Sequence, residues 1–397
     1  MIQRKVLENG MTVVFKQRKN EVVTVAFAVR YGGGHEVAKD KGIAHFIEHM
    51  LYKGTPTRNS KQISTEIEKN GGELNGFTSE QVTAFWCKMP SKKLKIALEV
   101  LSDMVKNPLF DSDELEKERL VIFEEMKMYK DNPRMHVFEK IKELMYQGDF
   151  AIPIIGTEET MRNNDNEKLR EFFNRIYTPK NMILAVAGDC DFETLCDFAE
   201  NNFSAGKDEK IEQPVVKEDN GEKIEKRKAI DQANLILAYH SPLPNEEKHY
   251  AAQVLSVLMA GGMSSRLFSE IREKRNLAYA VKGFIDGEKD YAYSGIYVGT
   301  MPENVEKVKK LIIEEFKKVS KELGDKELDE VKEQIIGNHL IASEDSHNVL
   351  MDLLMSEIKG DAKEADEFAE KIKAVKLEDV KDLAKIKSYS FFALVPE

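Results

Sequence analysis

Tryptophan occurs once and cysteine three times in the 397 residues, and no apolar run approaches the roughly 20 residues of a membrane span. Cys87, Cys190 and Cys196 have neither zinc-ribbon nor redox spacing. They imply no disulfide framework, which suits a reducing compartment, and Cys87, inside an apolar run, reads as a small core residue. A basic excess is also missing. Fifty-nine Lys and Arg face 70 Asp and Glu, a net charge of −11, which argues against a nucleic-acid or anionic-membrane surface. The glycine pairs at 71–72 and 261–262 belong to neither a P-loop nor a dinucleotide fingerprint. The N-terminal MIQRKVLENGMTVVF reads as a hairpin turning at Asn9-Gly10 rather than as a signal peptide. The expectation is a cytoplasmic protein that binds neither nucleic acid nor membrane.

What is present describes an ordinary folded chain, with 42% apolar residues, 32% charged residues and 20 Phe. Its length exceeds the roughly 250–300 residues at which a single core stops growing, so two domains are expected. Short β-type runs alternate with amphipathic helices. VVTVAFAVRYGGG (22–34) and VTAFWCKM (82–89) read as strands, and KQISTEIEKNGG (61–72) as a helix closed by glycine. Helices are also expected over 91–106 and 112–130.

The second half replays this order. MPSKKLKIALEVLSDMV (89–105) corresponds to MPENVEKVKKLIIEEF (301–316) at an offset of 212, and ELEKERLVIFEE (114–125) to ELDEVKEQIIGN (327–338) at 213. VAFAVRY (25–31) faces LILAYH (235–240) in the same order. Three ordered matches at nearly one offset indicate two related domains, 1–204 and 224–397, joined by a polar linker at 205–223. Runs such as 74–89 and 278–299 have no helix between them and imply antiparallel pairing. The expected fold class is therefore α+β, each domain an antiparallel-rich sheet with helices mainly on one face.

The chemistry concentrates in GIAHFIEHMLYKGT, residues 42–55. Ile43, Ala44, Phe46, Ile47, Met50 and Leu51 describe a buried helix, yet His45, Glu48 and His49 are inserted among them. Titratable groups in such company need partners. Residues four apart lie within about 40° of each other around a helix, so His45 and His49 can grip one ion. Glu48 sits at the edge of the same face. The arrangement is H-x-x-E-H, with roughly 0.02 chance matches expected in a chain of this length.

A catalytic zinc takes three protein ligands, commonly His₂Glu. The third is sought in EKERLVIFEEMKMYKDNP, 116–133, where Glu118 and Glu125 stand two helical turns apart on one face. Leu120, Val121, Ile122 and Phe123 between them suggest a largely buried helix. Glu124 points about 100° away from Glu125 and is the exposed alternative. The other histidines, His35 in a loop and His136, His240, His249, His339 and His347, lack ligand spacing.

HFIEHMLYKGT, whose His49 is followed after 75 intervening residues by Glu125, resembles the pitrilysin-type zinc peptidases, closest to the shorter branch with mitochondrial processing peptidase and its bacterial relatives. The likeness extends over nearly the whole chain through GGELNGFTSEQVTAFW (71–86), YTPKNMILAVAGD (177–189) and AGGMSSRLFSEIREKRNLAYAV (260–281). It implies one Zn²⁺ per chain held by His45, His49 and Glu125, with Glu48 as general base and Glu118 behind the ligands. Asn75 would contact substrate on an edge strand; Gly76 stands where alanine is common, a change expected to matter little. Arg272 and Tyr279 match an Arg/Tyr pair that contacts substrate near the scissile bond.

The implied activity is hydrolysis of internal bonds in extended or unfolded peptides bound as an added strand. Larger relatives fuse two halves, each the size of this chain, into a clamshell with the Arg/Tyr pair opposite the zinc. This chain carries both motifs, so the resemblance implies a homodimer with the zinc of one subunit facing Arg272 and Tyr279 of the other. The alternative is a non-catalytic partner subunit of a heterodimeric processing peptidase. Such subunits typically lose zinc residues, which this chain retains.

Overall fold

In a computed structural model, which describes residues 2–206 and 211–397, the Asn9-Gly10 turn joins β1 (Ile2–Val6) to β2 (Thr12–Gln17) as an antiparallel hairpin. Asn9 fixes it by donating from Nδ2 to the carbonyls of Ala199 and Phe203 at 3.1 and 2.8 Å. With β3 (Val22–Val29), β4 (Glu73–Thr78), β5 (Thr83–Pro90) and β6 (Met182–Gly188) these strands form a six-stranded sheet ordered β1-β2-β6-β3-β5-β4. A second sheet contains β7 (Glu222–Arg227), β8 (Ala233–His240), β9 (Ala278–Glu288), β10 (Tyr291–Thr300) and β11 (Ser390–Pro396), ordered β7-β11-β8-β10-β9.

With β1 set aside, the two orders are the same. Each begins with a parallel pair, β2 with β6 and β7 with β11, and continues with antiparallel pairs. Each ends in a hairpin whose outer strand, β4 or β9, has one partner among the described residues. The fold is thus α+β with two related sheets, and the expected hairpins at 74–89 and 278–299 are present.

The centre of the first sheet is buried on both faces, because helices cover both. One face carries large side chains, Val25, Phe27 and Phe85 among them; the other carries Ala26, Ala28, Ala84, Ala185 and Ala187. Small residues leave room for the helix Ser346–Lys359, which seats Val349, Leu350, Leu353 and Leu354 there. The same helix brings Glu357, 2% exposed, to Arg4 and Arg30 at 2.8 and 2.6 Å. A buried carboxylate is tolerable when guanidinium groups satisfy it in this way. In the second sheet the corresponding place is taken by the helix Pro133–Met145, whose Val137, Ile141 and Met145 meet Ile236, Ala238, Phe392 and Leu394.

The contact units therefore depart from a single cut at 205–223. One takes the chain up to Met126 with Ile152–Val215 and Ile341–Asp366; the other takes Lys127–Ala151, Val216–Leu340 and Glu367–Glu397. Each unit borrows one helix from the other half of the sequence. Residues 207–210 of the expected linker lie outside the described residues. Among the described residues no helix is long and apolar enough to cross a membrane.

Candidate metal centre

The helix Ile43–Leu51 begins at Gly42, whose φ of +87° suits glycine. A Cβ there would lie 2.2 Å from Met161 Cε and 2.7 Å from the Ile155 carbonyl. The amides of the N-cap Gly42 and of Ala44 in the first turn donate to the two carboxylate oxygens of Glu36 at 2.8 and 2.7 Å. Burial pushes the Glu36 carboxyl up to about 8, against the pull of those amides and of Lys41. Ile43, Ala44, Phe46, Ile47, Met50 and Leu51 are buried as their spacing requires, which leaves His45, Glu48 and His49 on the remaining stripe.

Glu118 and Glu125 come from the helix Ser112–Asp131. Its buried stripe is Leu115, Glu118, Arg119 and Ile122, at three- and four-residue spacing. Leu120 and Val121 lie outside that stripe and are 64% and 48% exposed, so the helix is half-buried rather than largely buried. Glu124 is exposed and Glu125 turns inward.

His45, His49 and Glu125 converge, their candidate ligand atoms all within 4.8 Å of one another. Glu125 Oε2 stands 3.7 Å from His45 Nε2 and 3.6 Å from His49 Nε2. These separations are long for hydrogen bonds. They lie close to the roughly 3.3–3.5 Å between neighbouring ligand atoms of a tetrahedral site with 2.0–2.1 Å bonds. His49 Nδ1 donates to Glu118 Oε2 at 3.1 Å, which turns Nε2 toward Glu125. Glu118 Oε1 accepts from Lys53 Nζ at 2.5 Å. His45 has no such backing: its Nδ1 is buried without a hydrogen-bond partner. Two imidazoles and a carboxylate, one imidazole oriented by a second carboxylate, are a donor set that fits Zn²⁺.

The electrostatics separate the two histidines. Burial, reinforced by the neighbouring His49, pulls His45 down to about 4. Burial also acts against His49, but the carboxylates of Glu118 and Glu125 outweigh it and lift that ring to about 9. Burial would raise Glu118 and Glu125, yet the histidines, with Lys53 helping at Glu118, hold both below the usual carboxylate range. Glu48 is raised, because burial outweighs the hydrogen bond that Thr78 Oγ1 donates to its Oε2 at 2.6 Å.

Asn75 lies on β4, the sheet edge, with its side chain exposed and its Oδ1 accepting from the Gly76 amide at 2.8 Å. Gly76 matters more than its sequence context suggests. A Cβ there would stand 2.6 Å from the Tyr52 hydroxyl and 2.9 Å from the Ala84 carbonyl, so alanine has no room. Arg272 and Tyr279 meet in the second unit: Arg272 Nη1 donates to the Tyr279 carbonyl at 3.0 Å and its guanidinium lies over Phe268. Tyr279 is 47% exposed. His35 stacks on Tyr31 in a short turn, and Cys87 is a buried strand residue whose thiol burial pushes up to about 12.

Sequence reasoning missed Glu36, Lys53 and Thr78. Lys53 carried a faint signal, one turn beyond His49. Glu36 acts from the turn six and eight residues before its amide partners, and Thr78 across 30 residues, at separations that no helical or strand period announces.

Residues 12–158 match the family described as insulinase, or peptidase family M16, and residues 165–335 match the peptidase M16 inactive domain. An uncharacterized zinc protease of Bacillus subtilis, YmxG, is 33% identical over 97% of this chain and 95% of its own length. Another uncharacterized zinc protease, from Rickettsia felis, is 32% identical over 85% of this chain and 83% of its own. Among solved structures, a protease from Helicobacter pylori shares the fold with a TM-score of 0.93 at 24% identity, covering 100% of this chain and 99% of that one. A metal-ready histidine–glutamate cluster, a doubled sheet and relatives matched nearly end to end agree: the chain belongs to the M16, pitrilysin-type peptidase family.

Proposed function

We propose that this chain is a zinc-dependent endopeptidase that hydrolyses internal bonds of extended or unfolded peptides. The observation carrying the proposal is the convergence of His45, His49 and Glu125 beside Glu48. A structural metal site would not need that fourth group. Zn²⁺ held by His45, His49 and Glu125 would supply Lewis acidity, polarising a carbonyl and acidifying water. Glu48 accepts the proton of the attacking water and returns it to the leaving nitrogen, a task that its raised pKa suits. Glu118 keeps His49 oriented.

Peptide adds to the free edge of β4 as a further strand. Main-chain hydrogen bonds there give sequence-independent affinity, with Asn75 beside them. Arg272 and Tyr279 contact the substrate near the scissile bond, and the Tyr279 hydroxyl donates to the developing oxyanion. We assign these two residues to the opposite subunit of a homodimer, giving two equivalent sites. What supports this is one chain carrying both motifs, on separate units, with Arg272 and Tyr279 exposed.

The decisive test is cleavage of an unfolded peptide library, mapped by mass spectrometry with and without chelator, using Glu48→Gln as blank. Chelator-sensitive internal cuts absent from the blank are expected. A zinc-loaded wild-type chain that cuts nothing would favour the non-catalytic partner subunit. For the dimer, Arg272→Ala and Glu48→Gln subunits are mixed. Recovered activity supports the shared site, and none in verified mixed dimers counts against it.

A further inference from the structure

The strand that would receive substrate and the helix that carries the general base are locked together by two side-chain contacts. On a strand, residues two apart share a face; on a helix, residues four apart share one. Gly76 and Thr78 are such a pair on β4, and Glu48 and Tyr52 are such a pair on the motif helix and its C-cap. The contacts match pair to pair: the Tyr52 hydroxyl abuts Gly76, and Thr78 Oγ1 donates to Glu48 Oε2 at 2.6 Å.

Thr78 is itself firmly placed. It ends β4 opposite Thr83, and the next residue closes the hairpin through Ser79 N–H to the Val82 carbonyl at 2.8 Å. The backbone that carries the hydroxyl is thus fixed, and a β-branched side chain has few χ1 choices left. A carboxylate has two oxygens, and this contact commits one of them. Oε2 accepts from Thr78, which fixes the rotation of the carboxylate and leaves Oε1 without that contact.

We infer that Thr78 is the positioning residue for Glu48, fixing the orientation of its carboxylate and setting the base in register with the peptide-binding edge strand. The inference rests on the proposed role of Glu48, and its test separates the two. Full-length zinc-loaded wild type, Thr78→Val and Thr78→Ser are compared on a quenched unfolded peptide. Zinc content is measured on each protein, and the crystal structure of each is determined. Valine keeps the shape and removes the hydroxyl; serine keeps the hydroxyl.

Thr78→Val should bind one zinc per chain with KM within about twofold of wild type and kcat lower by about tenfold or more, while Thr78→Ser stays within about threefold. Its crystal structure should show the Glu48 carboxylate displaced in Thr78→Val and unmoved in Thr78→Ser. An unchanged kcat in Thr78→Val, or a loss that appears only in KM or in zinc content, overturns the inference. If wild type loads zinc but cleaves nothing, the peptidase reading fails, and the structures still decide: Glu48 unmoved in Thr78→Val overturns the positioning role, and Glu48 displaced supports it.

Discussion

The two sheets share one plan and differ in chemistry. Following β3, the first copy sends out a helix bearing His45, Glu48 and His49; following β8, the second sends out His249–Ala260, whose buried residues include Val254, Leu255, Leu258 and Met259. Where Glu125 stands on the first copy's acidic helix, the two repeat offsets reach Gly337 or Asn338 on the second. Among the described residues, the first copy's cluster is the one found able to hold a metal. Strand order survives without the candidate ligands, so the apolar pattern builds the fold and the candidate site is a few polar residues laid over it.

That comparison can be broken first at its scaffold. Expressed alone, residues 1–204 lack the Ser346–Lys359 helix that covers the alanine-rich face of the first sheet. Its Val349, Leu350, Leu353 and Leu354 each contribute roughly 1.5–3 kcal/mol on burial. The separate half should fail to unfold cooperatively, and adding residues 224–397 should restore a transition; a cooperative melt of 1–204 alone would refute the exchange. Next comes the chemistry. His45→Ala should reduce zinc from one per chain to none after dialysis while leaving the circular dichroism spectrum intact, as expected if the second copy folds on apolar residues alone.

Glu118→Gln is gentler: zinc affinity should fall by about 10–100-fold, the usual cost of losing a carboxylate behind a histidine ligand. Acidity sharpens the same point. His45 is neutral above about 4, but metal-free His49 keeps its proton until about 9. Zinc requires both rings neutral, so binding at pH 7 should release about one proton. Affinity should rise about tenfold per pH unit and level off above pH 9, which calorimetry in buffers of different protonation enthalpy would read. Proton-free binding at pH 7 would mean that metal-free His49 is already neutral there, against the lift from Glu118 and Glu125. The smallest effect is Gly76→Ala, expected to lower stability by about 1–3 kcal/mol through overpacking against Tyr52, measured by urea unfolding.

Legibility in the sequence followed the range of each interaction. His45, Glu48 and His49 are set by one helical turn, and Glu118 and Glu125 by two, so spacing displayed them. The hairpins were legible from alternation and the repeat from its offset. Glu36, Lys53 and Thr78 satisfy or orient groups that are distant along the chain or belong to another element. The exchanged helices were hidden for a related reason: amphipathic periodicity says that a helix has a buried face, not which sheet receives it. Leu120 and Val121 show the converse, since their apolar character wrongly suggested burial.

The exchange also has a consequence for synthesis. A growing chain has His45, His49, Glu118 and Glu125 once residue 125 is made, yet the helix that seats Leu350 and Leu354 on its first sheet is still more than 200 residues away. A nascent or truncated product would then have its candidate metal ligands before it had the helix that supports the sheet beneath them.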